Sequence, residues 1–381
     1  MINIYEKNKK RFEASYQRIK DAYLHKDTNQ LPLIFSDVNY WVSGDTPSLI
    51  PDDYFTSFEA MFSYQISKIE KHIQKFDDDY IPLLFPWYGT GVVPSALGCN
   101  IKFQSKMDPS VEGTVIKEPK DIRKLSMPNP YKDGLMPRVL KCIDYMRENS
   151  DLPISFTDPQ GPLNIALCLC GVENLFVWMY EYPKYVHEIM EFCTEVFIEW
   201  IKVQKKHSGQ KINSGAFPHG IALPEDFGGV WLSDDDCTIL SPKLYKEFVV
   251  PYNSKVFKAF GGGTLHFCGT ALHQLENFLE TDGLTGINNF CMGDFKQVVK
   301  MQELFENKIG LMVCDFTPLR IEEYYKELIS ILKFKGTILA TFIAPEFALI
   351  EGKYDSLTRD RDEIMDTCYE VIKRIVHDKS R

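Results

Sequence analysis

Short apolar runs alternate with longer stretches of helical spacing along almost the whole chain. The runs read as strands at LPLIFSDVNYW (31–41, with Asp37 at the end of its apolar part), YIPLLFPWYGTG (80–91), LPISFTDPQG (152–161), GGVWLS (228–233), GTLHFCG (263–269), LTGINNFCMG (284–293), IGLMVCDF (309–316) and GTILATFI (336–343). Between them lie helical patterns. Residues 52–76 place Phe58, Met61, Phe62, Ile66, Ile69 and Ile73 on one face, and the stretch after Arg320 does the same with Ile321, Tyr324, Tyr325, Leu328, Ile329 and Leu332. Further helices are predicted over 4–25, 134–149, 163–207 with a break near Pro183, 271–281, 295–307 and 357–378.

Apolar strands separated by single helices must pair in parallel, because each helix is a crossover connection. About eight such units predict an α/β fold closed into a (β/α)8 TIM barrel. The expectation is one domain over 1–381, with a helical extension over 1–30 and an irregular, Pro-, Lys- and Asp-rich excursion over 98–133. No Gly-x-Gly-x-x-Gly follows a strand, and the glycines at 261–263 precede one, so a dinucleotide fold has no support.

Composition narrows the function. A net charge of -10 argues against nucleic acid or an anionic membrane as partner. No arginine occurs between Arg147 and Arg320, so half the chain lacks the planar fork that grips carboxylates and phosphates. The polar start, MINIYEKNKKRFEASYQ, has no signal-peptide core and no apolar run is long enough to span a bilayer, which predicts a cytoplasmic protein. The ten cysteines lack framework spacing and read as reduced thiols.

In a barrel of this kind the chemistry sits where the strands end. Those ends hold Asp37, Trp87 with Tyr88, Asp158 with Gln160, His219, Asp234 to Asp236, His266 with Cys268, Asn288 with Asn289, Cys314 with Asp315, and residues 342–346. In Gly-Thr-Leu-His-Phe-Cys-Gly the side chains alternate, so His266 and Cys268 share a face and can converge on one tetrahedral zinc ion. Composition alone predicts about 0.2 His-x-Cys triplets in a chain with eight His and ten Cys, so the motif needs its context.

The acids from Asp234 to Asp236 lie upstream of a helix whose start is marked by Ser241 and Pro242. That leaves a metal ligand, a proton donor or a solvated loop as their readings. Asp37 and Asp158 are placed either to accept from a substrate or to cap a turn, and Asp158-Pro159 carries turn chemistry. Trp87 and Tyr88 read as a pocket wall or a core edge, and His219 as a loop residue with or without a role.

Two segments, LSPKLYKEFVVPYNSKVF followed by GGGTLHFCG, and GPLNIALCLCGVENLFVWMYEYPKYVHEIM before them, resemble the uroporphyrinogen decarboxylase superfamily, which includes corrinoid-dependent methyltransferases. The resemblance runs from about residue 31 onward. Haem-pathway decarboxylases carry an Arg-Gln-Ala-Gly-Arg segment where this chain has LIFSDVNYWVSGD, so the likeness is to the methyltransferase branch. That branch holds zinc with a His-x-Cys strand and a cysteine at the end of the last strand. His266 and Cys268 match; near the third position stands Phe342. Cys314, one of Asp234 to Asp236, or Glu346 would have to stand in.

The resemblance implies methyl transfer between a small methylated compound and a corrinoid cofactor supplied by a partner protein, with zinc as a second cofactor. His266 and Cys268 are then the expected metal ligands with Cys314 standing in as the third, and Asp234, Asp235 and His219 are the expected catalytic groups, His219 as a proton donor in the decarboxylase alternative. Asp37, Trp87, Tyr88, Asp158, Gln160 and Asn288 are the expected substrate contacts. The alternatives are a decarboxylase or lyase acting on a small substrate, and a barrel that only binds a ligand.

Overall fold

The computed structural model describes residues 1–36, 50–104, 107–215, 221–316, 320–342, 348–350, 353–355 and 361–379. Its strands are β1 (Leu33–Ser36), β2 (Asn100–Gln104), β3 (Met107–Glu112), β4 (Val230–Ser233), β5 (Gly263–Cys268), β6 (Leu284–Phe290), β7 (Gly310–Phe316), β8 (Thr337–Phe342), β9 (Ala348–Ile350) and β10 (Lys353–Asp355). Six of them form one parallel sheet in the order β1-β8-β7-β6-β5-β4. The helices Val250–Ala259, Leu275–Leu279, Phe295–Leu304 and Ile321–Ile331 fall between successive strands from β4 to β8. This is the crossover pattern that the apolar spacing predicts.

The predicted second and third strands complete the barrel in a looser form. Residues 80–86 and 152–158 meet at one parallel bridge, Leu84 to Ile154. Pro82, Pro86, Pro153 and Pro159 remove ladder donors at these segments, which is why they do not register as full strands. Side chains take over part of the pairing. The backbone N–H groups of Leu33 and Phe35 in β1 donate to the carboxylates of Asp79 (3.0 Å) and Asp78 (2.7 Å). On the other edge, Ser233 N–H donates to Gln160 O at 3.2 Å, and the Phe156 and Trp231 rings stack at 6.5 Å. The result is a TIM barrel with two lightly hydrogen-bonded staves.

The helix Lys9–Tyr23 closes the end of the barrel where the strands begin. A Cβ on Gly310 would lie 2.3 Å from the Tyr23 ring and one on Gly286 2.9 Å, so both strands need glycine there to admit the ring. Arg11 and Arg18 tie the same helix to Asp78 (3.3 Å) and Asp79 (2.6 Å).

The region 98–133, expected to be irregular, contains an antiparallel hairpin of β2 and β3 and a short 3-10 helix, Pro119–Lys124. Pro109 and the charged residues obscure the strand alternation in the sequence. The long helical region is three helices, Pro162–Cys170, Val172–Glu181 and Pro183–Ser208. Its first break, at Gly171 with φ +85°, comes before the one marked by Pro183. No single helix among the described residues is long and apolar enough to cross a membrane.

Candidate metal centre at the barrel mouth

β5 delivers His266 and Cys268 to one face at its carboxyl end, and Gly269 turns the chain there with φ +78°. The Cys268 Sγ stands 3.5 Å from His266 Nε2. The third group comes from the turn after β4. Asp234 extends the pairing by one residue, its N–H donating to His266 O at 2.8 Å. Its side chain is turned to the helices, where it accepts from Tyr245 Oη (2.5 Å) and Asn253 Nδ2 (3.0 Å).

With Asp234 fixed in this way, the next residue opens the 3-10 turn Asp235–Thr238 and reaches over the strand end. Asp235 Oδ1 accepts from Cys268 N–H at 2.8 Å and lies 3.6 Å from His266 Nε2. The ligating atoms of Asp235, His266 and Cys268 all fall within 4.8 Å of one another.

Tetrahedral zinc with ordinary Zn–N, Zn–O and Zn–S lengths places its ligand atoms about 3.4 to 3.6 Å apart. The spacings of 3.5 Å and 3.6 Å around His266 Nε2 match that geometry. The set of one oxygen, one nitrogen and one sulfur suits zinc, and three protein ligands leave a fourth position open, as in catalytic rather than structural sites. The imidazole is prepared for this role, because Nδ1 donates to Asn288 Oδ1 at 2.6 Å and Nε2 therefore presents its lone pair.

Burial lowers the His266 pKa, opposed by the Asp235 charge. Burial first, and then Asp235, push the Cys268 thiol well up. A divalent cation held by these residues would offset the Asp235 charge and favour the thiolate of Cys268.

The expected third ligand Cys314 is not among these atoms. Cys268 pairs with Phe290 and Phe290 with Cys314, so a whole strand lies between the two cysteines. That is about 9 to 10 Å of backbone separation. Cys314 Sγ is turned instead to Asn288, accepting from Nδ2 at 2.9 Å, and burial holds its thiol well above the usual range. The third ligating atom that reaches His266 and Cys268 is the Asp235 carboxylate.

Other expected residues divide between mouth and core. Asn288, cast as a substrate contact, is wholly buried with both ends of its amide engaged by His266 and Cys314. Asp234, cast as catalytic, is 1% exposed and faces the helices. Its carboxyl is pushed up to about 7, chiefly by burial. Tyr88 packs beneath the Arg138 guanidinium, 5.5 Å from its ring centroid, and is fully buried. Trp87 Nε1 donates to Asp108 Oδ1 in β3 at 2.5 Å, tying the hairpin to the end of the second stave.

Asp158 and Gln160 form the turn that the Asp-Pro pair predicts. Asp158 Oδ1 accepts from Gln160 N (2.8 Å) and Nε2 (3.2 Å), and Gln160 adopts φ +56°. Burial pushes the Asp158 carboxyl up to about 6, and the Asp235 charge adds to the shift. Asp37, His219 and Glu346 lie outside the described residues. Tyr245 and Asn253, which anchor Asp234, are functional residues that the strand ends do not reveal. Their signal is a pair of polar groups in the two short helices, Pro242–Phe248 and Val250–Ala259, that follow a strand ending in acid.

The barrel and its mouth define the class. Residues 86–308, more than half of the chain, match the family model described as uroporphyrinogen decarboxylase (URO-D), and the chain belongs to that family. A methylated-thiol–coenzyme M methyltransferase of Methanosarcina mazei is 24% identical over 229 residues, which cover 59% of this chain and 53% of that protein. The match thus spans about half the length of that curated relative. A solved structure described as a methyltransferase from Methanosarcina mazei superposes with a TM-score of 0.66 at 17% identity. It covers 96% of this chain and 98% of that one, and the likeness is one of fold.

Proposed function

We propose that this chain is a methyltransferase that moves a methyl group between a small methylated compound and a corrinoid cofactor carried by a partner protein. The observation that carries the reading is the convergence of Asp235, His266 and Cys268 at the end of β4 and β5. These three residues would hold a zinc ion, which supplies Lewis acidity to a donor or acceptor heteroatom at its open position. The family membership and the likeness to a methylated-thiol–coenzyme M methyltransferase support the same class.

The remaining work falls to the chain itself. A methyl group leaving its donor for a corrinoid leaves a bonding electron pair behind, and that pair needs a proton or a cation. Asp158 is the carboxyl at the mouth whose burial keeps it protonated up to about pH 6, and Oδ1 takes both bonds from Gln160, leaving Oδ2 to carry the proton. Gly161 keeps this turn against β4, because a Cβ there would meet Ser233 O at 2.4 Å. An arginine-free barrel wall favours a neutral or weakly charged donor over a polycarboxylate.

The test is methyl transfer to free cob(I)alamin, followed by the loss of its absorption, with pools of methyl thioethers, methoxylated aromatics and methylamines. Formation of methylcobalamin with one pool, abolished in His266→Ala, supports the reading. Carbon dioxide release from a carboxylated substrate with no methyl transfer from any pool contradicts it.

A further inference from the structure

The amide of Asn288 sits between two side chains that the metal reading treats differently. Its Oδ1 accepts from His266 Nδ1 at 2.6 Å and its Nδ2 donates to Cys314 Sγ at 2.9 Å, with Asn288 wholly buried. Both contacts follow from register. His266 pairs with Asn288 across β5 and β6, so the two side chains stand abreast on one face. Asn288 pairs with Met312, which puts Cys314 on that same face two residues further along β7.

We propose that Asn288 is a positioning residue that selects the metal-binding tautomer of His266 and keeps Cys314 out of the ligand set. A neutral imidazole bears one proton, and in free histidine it prefers Nε2, the nitrogen that faces Asp235 and Cys268. A proton there would block the site. The Asn288 carbonyl stabilises the proton on Nδ1 instead, and the wholly buried position gives that acceptor no water to exchange for. The other end of the amide gives Cys314 Sγ a donor, turning its lone pairs toward β6 and away from the mouth. One side chain thereby fixes which nitrogen and which sulfur are on offer.

The inference rests on His266 being a ligand, but it is testable without metal. Two-bond nitrogen–proton correlation spectra of metal-free protein labelled with nitrogen-15 at histidine report which ring nitrogen carries the proton, with His266 assigned by its loss in His266→Ala. The expected result is a proton on Nδ1 in the unsubstituted protein and in Asn288→Asp, which keeps the acceptor. In Asn288→Leu, and in the smaller Asn288→Ala should the leucine variant not fold, the proton moves to Nε2.

Zinc affinity measured against a chelating dye should fall about 10- to 100-fold in the leucine or alanine variant. It should stay within about threefold in Cys314→Ala, which removes the second sulfur without touching the first. A proton on Nε2 in the unsubstituted protein overturns the proposal, as does an Asn288→Leu variant with unchanged tautomer, or a Cys314→Ala loss equal to that of Asn288→Leu. Protein that binds no zinc while showing the predicted tautomers refutes the metal reading and leaves the positioning role standing.

Discussion

Lys205 gives the sharpest prediction about stability. It lies near the end of the helix Pro183–Ser208 and is fully buried, with Nζ donating to the carbonyls of Ser214 and Gly215 and standing 5.6 Å from the centroid of the Phe156 ring. No carboxylate lies within ion-pairing distance among the described residues. Burial therefore lowers its pKa to about 7, with Glu225 opposing.

In the unfolded chain the amine keeps its ordinary value of 10.5, so below pH 7 both states are charged and the full cost of burying the ammonium applies. Between pH 7 and 10.5 the folded amine is neutral while the unfolded one still binds a proton, so stability contributed by this group rises with pH. At about 1.4 kcal/mol per unit, the gain between pH 6 and pH 9 is about 2.5 kcal/mol.

Lys205→Met keeps the packing volume and removes the titration. Urea unfolding at pH 6, 7, 8 and 9 should show the difference between the two proteins shrinking by that amount, with the methionine variant the more stable at pH 6. A difference that stays constant across the series would refute the reasoning and mean that the two carbonyls hold Lys205 charged throughout.

Other perturbations reach the site directly. Gly161→Ala places a methyl 2.4 Å from Ser233 O and should destabilise the protein by about 1 to 3 kcal/mol in urea unfolding. It should also weaken metal binding, because β4 carries the turn that presents Asp235. Asp235→Ala and Cys268→Ser should both abolish stoichiometric zinc in protein purified without oxygen, measured by elemental analysis, whereas Cys314→Ser should retain it. Methyl transfer that depends on Asp158 as acid should fall as pH rises through about 6, and Asp158→Asn should remove that limb of the profile.

The fold was legible because helix and strand periods differ and each interval between strands holds one crossover. The strands from β4 to β8 carry their apolar runs without proline and form as read. The second and third staves did not, since a backbone with four prolines cannot fill a ladder, and the N–H groups of Leu33 and Phe35 in β1 are met instead by the carboxylates of Asp79 and Asp78, 46 and 43 residues away in the chain. At the site, His266 and Cys268 were visible because a strand fixes which neighbours share a face.

The third member of the cluster was not, because three consecutive acids follow β4 and only tertiary contacts separate them. Tyr245 and Asn253 draw Asp234 to the helices, and that places Asp235 over the strand end. Cys314 looked suitable from its position at the end of β7. The intervening β6 separates it from Cys268, and its sulfur is turned to the amide of Asn288.

The central claim, one metal held by Asp235, His266 and Cys268, is tested most directly by zinc-edge X-ray absorption on protein purified without oxygen. The account predicts close to one zinc per chain with a single sulfur at about 2.3 Å and nitrogen or oxygen neighbours at about 2.0 to 2.1 Å. Two sulfurs in the first shell would contradict it by bringing a second cysteine into the set, and protein that takes up no zinc would remove the metal from the site altogether.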